Sequence, residues 1–292
     1  MTPQTTHSAS SLPLSRALRI ARAPLALAAI LYLAAAGYMG LYQRDFLFPR
    51  APAWIAPETQ DIPRAEAYRI TVPKGDGPGN LTLSGWRVPP RDDSAVVFLY
   101  FHGNANGLDR RSNRFRLMTA DGSGLVALSY RGYGGSEGRP TEAHLHADAA
   151  AIYAEVTRGI APERIVIFGE SLGSGVALNL ARKVKARAVV LDSPYLSVLA
   201  RGQASYPWLP VPLLLVDTFR SDRWIGETLA PVLILHGTED RVIPPGDSEK
   251  LAALGKPGMV TRKLYPGEPH VVPYDRGPAR DIADFLARIG KP

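Results

Sequence analysis

Runs of apolar residues recur along the chain, and five of them are nearly continuous and rich in β-branched residues. They cover 95–101, 125–130, 164–168, 186–192 and 231–236. Runs that do not alternate with polar residues are typical of parallel strands buried on both faces of a sheet. The stretches between them that are long enough for crossover helices lie near 107–119, 141–158 and 173–184. The pattern predicts an α/β fold with an open, mostly parallel sheet and helices on both faces.

Further elements precede and follow these repeats. Residues 68–73 and 81–89 flank a glycine-rich turn, a pattern that predicts an antiparallel hairpin. After the last buried run, residues 260–265 are expected to form another strand and 278–289 a closing helix. Together they predict one domain over 67–292.

The segment between the fourth and fifth buried runs is longer than an ordinary crossover. It is rich in proline and aromatic residues, among them Trp208, Phe219 and Trp224. A long apolar insertion after a strand is typical of a lid over a site, and we expect one at about 194–228. A plain helical crossover with apolar surface residues is an equally good interpretation.

The N-terminal part of the chain has a different pattern. Residues 1–22 are polar and basic and are expected to be disordered. Residues 23–43 contain no charge, and about twenty residues of helix span roughly 30 Å, the thickness of a bilayer core. They predict a single transmembrane anchor, followed by a linker over 44–66. A cleaved signal peptide with a small-residue site at 34–36 is the alternative.

Charge around the predicted anchor indicates its orientation. Arg16, Arg19 and Arg22 precede it, which favours an N-terminus inside the cytoplasm and a domain outside it, on the periplasmic side. Arg44 and Arg50 follow it and weaken that argument.

Composition excludes several classes of function. The net charge is +7 and the charges are scattered, without the basic block that nucleic-acid binding needs. The chain has no cysteine, which excludes disulfides, thiolate metal sites and a cysteine nucleophile. No cluster of ligands indicates a metal. The glycine-rich stretch 131–138 misses the dinucleotide pattern G-x-G-x-x-G at its last glycine, so we expect no cofactor.

A G-x-S-x-G sequence occupies 169–173, between the third buried run and a predicted helix. In that context it is the nucleophile elbow, a tight turn that exposes a serine in strained backbone geometry. Its two glycines stand where a Cβ would meet neighbouring backbone. Ser171 is therefore the candidate nucleophile, although the motif taken alone also occurs by chance.

The loop after the first buried run, 102–107, is small and contains glycine. It suits an oxyanion hole, in which the amide of Asn104 and the amide of Leu172 face the charge that develops on a carbonyl oxygen. A simple loop with a helix cap is the alternative. We expect His102 to be a structural residue of this loop.

Two further residues complete a candidate triad. Asp240 follows the fifth buried run and His270 follows the strand 260–265, and His270 is the only histidine downstream of Asp240. A serine hydroxyl needs a base to take its proton, and the imidazole needs a carboxylate to hold its tautomer. The adjacent Glu239 is the alternative acid, and a solvated carboxylate is the alternative role for Asp240.

With these motifs the chain resembles the α/β-hydrolase superfamily, and more narrowly the membrane-anchored Bem46-like serine hydrolases. The resemblance covers roughly 44–292 and rests on the elbow and on 101–105, 130–134, 192–195 and 236–240. It implies Ser171 as nucleophile, Asp240 as acid and His270 as base, with the amides of Asn104 and Leu172 as oxyanion donors.

One departure from the family pattern concerns the base. The family usually has glycine before the histidine and a polar residue after it, whereas Pro269 and Val271 flank His270 here. The loop that carries the base is therefore expected to be stiffer.

The resemblance implies hydrolysis of a carboxylic ester or thioester through an acyl-enzyme. The predicted anchor and the apolar lid favour a small-molecule or lipid-like acylated substrate drawn from a membrane. A serine aminopeptidase-like peptidase is one alternative, and a non-catalytic binding module on the same fold is another.

Overall fold

The computed structural model describes residues 14–49 and 53–290, and within them the strands form one eight-stranded sheet in the order β1-β2-β4-β3-β5-β6-β7-β8. The strands are β1 (Glu66–Pro73), β2 (Asn80–Val88), β3 (Val97–Phe101), β4 (Gly124–Leu128), β5 (Ile165–Glu170), β6 (Ala188–Asp192), β7 (Val232–Gly237) and β8 (Val260–Tyr265). The helices are α1 (Leu14–Leu47), α2 (Ser112–Met118), α3 (Glu142–Val156), α4 (Gly173–Ala181), α5 (Val198–Ser205), α6 (Val211–Leu214), α7 (Ser221–Trp224), α8 (Pro245–Ala253) and α9 (Pro278–Arg288).

The pairing of the strands confirms the predicted architecture. Strands β3 to β8 pair in parallel, while β2 is antiparallel to both β1 and β4. In the registered pairs, Phe101 faces Gly169 and Glu170 faces Asp192. The carboxyl ends of β3, β5 and β6 therefore meet at one edge of the sheet, which is where ligands bind in open α/β folds.

Alternate residues of the central strands supply two separate layers of core. One layer packs under α3, α4 and α8 and includes Leu99, Ile167, Leu191 and Ile234. The other packs under α2 and α9 and includes Tyr100, Phe168, Val190 and Leu235. Burial on both faces explains why these strands are apolar without alternation.

Two helical segments differ from the sequence expectation. The stretch 107–119 is a short 3₁₀ helix, Leu108–Arg111, followed by α2. Helix α8 is an element that sequence reasoning missed, because the adjacent prolines before it indicate a loop. Proline at the first helical position is nevertheless favourable, since the N–H that it lacks would have no partner there.

The structure corrects both boundaries of the N-terminal helix. Helix α1 begins at Leu14, inside the 1–22 segment expected to be disordered, and ends at Leu47, inside the predicted linker 44–66. Leucine, alanine and arginine at 14–22 are strong helix formers, and Pro49 disfavours helix at the residue before it. The expected disorder over 1–13 lies outside the described residues.

Part of α1 has the properties of a membrane span. Arg22–Leu47 is long and apolar enough to cross a bilayer, with a mean hydropathy of 1.8 in its most apolar stretch. A signal sequence near an N-terminus meets the same criteria of length and composition, so the anchor stays a prediction. The chain divides into two compact units between Gln43 and Arg44, and the second unit contains the whole sheet.

The segment 194–228 contains α5, α6 and α7 rather than one long crossover helix. Phe219 is fully buried and packs on α4, where a Cβ on Gly175 would lie 3.1 Å from its ring. Leu213 on α6 is exposed. The segment is therefore anchored through Phe219 and presents apolar side chains on its outer side.

Candidate active site

The elbow has the strained geometry that its motif predicts. Ser171 has φ of 49°, a left-handed conformation that non-glycine residues rarely adopt. A Cβ on Gly169 would lie 2.6 Å from the carbonyl oxygen of Gly173, and one on Gly173 would lie 2.1 Å from that of Phe101. The Ser171 N–H donates to the carbonyl oxygen of Asp192, at 2.9 Å. Close backbone on both sides thus holds the serine at the end of β5.

Three of the predicted site residues meet at this point. His270 Nε2 lies 3.0 Å from Ser171 Oγ, and its Nδ1 lies 2.7 Å from Asp240 Oδ2. The other oxygen of Asp240 accepts from the N–H groups of Val242 and Ile243, each at 2.8 Å. Glu239, the alternative acid, is exposed. The structure brings serine, imidazole and carboxylate into one chain of hydrogen bonds.

A second imidazole contacts the same carboxylate. His236 Nε2 lies 3.1 Å from Asp240 Oδ2 and 2.9 Å from the carbonyl oxygen of Ile243. A carbonyl only accepts, so His236 carries its proton on Nε2 and donates to both oxygens. Burial alone would raise the pKa of Asp240, but hydrogen bonds from His236, His270 and the Ile243 N–H hold that pKa well below its usual range. The carboxylate therefore stays ionised.

The loop that carries His270 is held in an unusual backbone conformation. Val271 has φ of 61°, where a β-branched residue is a genuine outlier. Its N–H donates to Ser193 Oγ at 3.0 Å, and Ser193 is itself left-handed, with φ of 52°. The structure thus shows how Val271, the departure noted in the sequence, is accommodated: the end of β6 fixes the residue after the base.

The predicted oxyanion loop passes directly beside the serine, since a Cβ on Gly103 would lie 3.3 Å from that of Ser171. Among the described residues, the N–H groups of Asn104 and Leu172 donate to no protein acceptor. Leu172 is buried. Unpaired buried N–H groups are rare in folded proteins, so these two amides are suited to receive an oxygen of a ligand.

His102 supports this loop from beneath. Its ring is buried, with Nδ1 2.7 Å from the carbonyl oxygen of Gly103 and Nε2 3.2 Å from the N–H of Tyr130. These partners place the proton on Nδ1 and make Nε2 an acceptor. Burial, together with the charge of Arg111, lowers the pKa of His102 to about 3. The histidine is structural, as its position in the sequence indicates.

We expect the His102 ring to remain neutral between about pH 5 and 9, because its pKa is about 3. An ordinary histidine titrates near 6.5, whereas this ring should show no ¹⁵N shift change over that range. Nuclear magnetic resonance of ¹⁵N-histidine-labelled protein measures this, and the signal is assigned by its loss in His102→Gln. Titration of that signal near neutral pH would contradict the assignment.

Behind the elbow lies a buried charge network that sequence reasoning missed. Arg111 Nη2 lies 2.5 Å from Glu170 Oε1, and Arg114 bridges Glu170 and Asp192, at 3.4 and 2.9 Å. Tyr100 donates to Glu170 as well. Burial alone would raise the pKa of Glu170, but the two arginine charges hold that pKa well below its usual range. The sequence offers one signal, the charge of Glu170 two positions after the apolar run 164–168, whereas Arg111 and Arg114 lie in a polar stretch.

The same network supports the oxyanion loop. Arg111 donates to the carbonyl oxygens of Gly107 and Ala105, at 2.8 and 3.1 Å. The N–H of Gly103 lies 3.3 Å from Glu170 Oε1. Glu170, at the second position of the elbow, and the loop 103–107 are therefore cross-linked by buried hydrogen bonds.

A cleft of about 490 Å³ opens beside Ser171. Polar residues from the loop and from α2 line one side, among them Asn106 and Asn113, and Val242 and Tyr274 contribute apolar surface. The lining residues come from outside the segment 194–228. The lid over 194–228 consequently stays a prediction.

Comparison with known proteins gives matches over most of the second unit. The family described as serine aminopeptidase, S33, matches residues 92–219. The chain is 36% identical over 230 residues to human alpha/beta hydrolase domain-containing protein 17B, covering 68% of this chain and 78% of that protein. It is 33% identical over 179 residues to the lysophosphatidylserine lipase ABHD12 of Danio rerio, covering 54% of this chain and 47% of the lipase.

Other relatives and solved structures also match large parts of this chain. The chain spans 66%, just under two thirds, of the length of two curated relatives that are 37% identical to it. An esterase of Pyrococcus furiosus has the same fold, with a TM-score of 0.61 at 19% identity, covering 82% of this chain and 96% of the esterase. The extent of the match to the human protein shows the family in addition to the fold. The chain therefore belongs to the α/β-hydrolase superfamily.

Proposed function

We propose that this protein is a serine hydrolase that cleaves carboxylic ester or thioester bonds through an acyl-enzyme. The observation that carries the proposal is the hydrogen-bonded chain from Ser171 Oγ through His270 to Asp240, at 3.0 and 2.7 Å, on a strained elbow. The two unpaired amides of Asn104 and Leu172 beside it supply the second requirement of acyl transfer, stabilisation of the oxyanion.

In the proposed reaction, Ser171 Oγ attacks the substrate carbonyl carbon while His270 Nε2 takes the hydroxyl proton. The carbonyl oxygen becomes an oxyanion and accepts hydrogen bonds from the amides of Asn104 and Leu172. The tetrahedral intermediate then expels the alcohol or thiol, which receives the proton from His270. Water attacks the acyl-enzyme by the same sequence and releases the acid, so that Ser171 is regenerated.

Asp240 has an electrostatic and a positional role in this cycle. Its hydrogen bond to His270 Nδ1 keeps the proton of the neutral imidazole on that nitrogen, so that Nε2 is free to accept. Its negative charge then stabilises the imidazolium that forms. The low pKa of Asp240 keeps this charge in place as His270 gains and loses its proton.

Lipid-like acylated substrates suit both the relatives and the candidate anchor. One relative is a lysophosphatidylserine lipase, and a structurally similar protein is an esterase. A single membrane span within α1 would hold the domain next to lipids, and we place that domain outside the cytoplasm. The family description also names a serine aminopeptidase, which makes a peptidase acting through the same triad the second candidate.

The decisive experiment is covalent labelling of the full-length protein with a fluorophosphonate probe. Wild type is expected to be labelled and Ser171→Ala to be unlabelled, because only an activated serine reacts. A panel of p-nitrophenyl esters of increasing chain length, acyl thioesters and aminoacyl amides then ranks the substrate classes. Absence of labelling, or equal labelling of both proteins, would contradict the proposal. Faster turnover of the aminoacyl amides than of the esters would favour the peptidase.

A further inference from the structure

We propose that the last turn of α1 and the residue after it, together Arg44–Phe48, form a positioning element for the oxyanion loop. The proposal rests on the function proposed above and adds to it residues outside the triad and the oxyanion hole. If the proposal is correct, the last turn of the helix that is predicted to anchor this protein in a membrane also supports the active site. All the contacts that carry it lie in the unit that begins at Arg44.

The direct contact is between the end of the helix and the loop. Asn104 Nδ2 donates to the carbonyl oxygen of Leu47, at 3.1 Å. The last carbonyl groups of a helix have no partner within the helix and carry the negative end of its dipole, so they are good acceptors. The carbonyl oxygen of Asn104 accepts from Tyr133 Oη at 3.0 Å. Residue 104 is thus held at its side chain and at its carbonyl, while its N–H donates to no acceptor in the part of the chain that the structure describes.

The turn is itself fixed to the rest of the unit. Arg44 Nε donates to Asp217 Oδ2 at 2.8 Å, and the Asp217 side chain is only 4% exposed. The other oxygen of that carboxylate accepts from the N–H of Glu142 at 3.0 Å. Arg44 is the only cation paired with Asp217 among the described residues. A buried carboxylate that lost such a partner would be strongly destabilised, so this ion pair holds Arg44 firmly.

Aromatic packing connects Phe48 to α4, the helix that follows Ser171. Phe48 is buried and meets Phe219 edge to face, with ring centroids 6.3 Å apart. Phe219 packs in turn on Gly175 in the first turn of α4, where a Cβ would lie 3.1 Å from its ring. Arg44–Phe48 therefore contacts the loop that carries the amide of Asn104. Through Phe219 it also supports α4, the helix that follows the amide of Leu172.

The test is a double-mutant cycle on kcat and KM for a p-nitrophenyl ester, with the full-length protein in detergent. Complete loss of one oxyanion donor costs about 10²–10³ in kcat. Loss of a support for the donor is expected to cost less, so Asn104→Ala should lower kcat about tenfold and Arg44→Ala about fivefold, with KM changed less than twofold. Asn104→Leu, which keeps the approximate size of the side chain but removes the donor without adding a charge, should behave like Asn104→Ala.

Coupling between the two sites distinguishes positioning from general stability. If Arg44 acts through Leu47 and Asn104, then Arg44→Ala should lower kcat by less than twofold in an Asn104→Ala background. Arg44→Lys should recover part of the loss. Arg182→Ala is the control, because it removes an ion pair of similar length, with the more exposed Glu227 at 2.9 Å, away from the loop. Its effect on kcat should be negligible in both backgrounds.

Additive effects of Arg44→Ala and Asn104→Ala on kcat would overturn the inference. So would a fall in melting temperature without a fall in kcat, or an effect confined to KM. Fluorophosphonate labelling of the wild type separates these outcomes from a failure of the proposed function. A labelled wild type with additive variants refutes only the positioning role, whereas an unlabelled wild type refutes the serine hydrolase itself.

Discussion

Replacing Asp240 with asparagine is expected to lower kcat for an ester substrate by about 10⁴-fold while the fold is retained. The backbone N–H groups of Val242 and Ile243 both donate to Oδ1, at 2.8 Å, so the amide oxygen of the new side chain must take that position. Its NH₂ group then faces His270 Nδ1. An imidazole that accepts there carries its proton on Nε2 and cannot take one from Ser171.

The matched control is Glu239→Gln, because this neighbouring carboxylate is exposed. It should change kcat by less than twofold. Steady-state kinetics with a p-nitrophenyl ester give both values, and melting temperatures establish that both variants are folded. A loss below tenfold in Asp240→Asn would show that Asp240 does not set the tautomer of His270.

Local patterns in the sequence are sufficient to predict the sheet and the order of the candidate triad along the chain. Ser171 and Asp240 each follow an apolar run, and His270 follows the predicted strand 260–265. Burial of the central strands on both faces is a property of single segments that composition reveals. Glycines at 169 and 173 are needed because of backbone within a few residues or on the next strand. Such features can be found without knowing which distant residues meet.

Pairings between distant residues could not be predicted in this way. Arg111 and Glu170 are 59 positions apart, and neither residue type indicates its partner. The contact of His236 Nε2 with Asp240 is likewise not indicated by either residue type. The choice among several possible partners is made by tertiary packing, which residue spacing does not encode.

The C-terminal boundary of α1 is a second feature that the sequence alone did not predict. Hydropathy places a boundary at the first charge after the apolar run, Arg44, and therefore predicts a linker from that residue. The helix continues to Leu47, and Arg44 pairs with the carboxylate of Asp217, 173 positions later. A charge at the end of an apolar helix can thus be part of the folded domain rather than the start of a loop.

The buried carboxylate of Glu170 also makes stability depend on pH. Its pKa in the folded protein lies below the ordinary value, so the unfolded chain binds a proton more readily than the folded protein does. The stability it contributes is complete above about pH 4.3, the ordinary pKa of glutamate, and is lost as the pH falls further. Glu170 should therefore contribute to acid denaturation.

Replacing Glu170 with alanine is accordingly expected to lower the free energy of unfolding by about 3–5 kcal/mol at pH 7, because a buried charge is left uncompensated. Arg114 keeps Asp192 as a partner, at 2.9 Å, but Arg111 retains only the carbonyl groups of the oxyanion loop. The melting temperature should fall by about 10 °C. Glu66→Ala, which breaks an exposed ion pair with Arg87, should cost at most about 1 kcal/mol. Thermal and denaturant unfolding measure both, and equal losses would show that the network behind the elbow contributes no more than a surface pair.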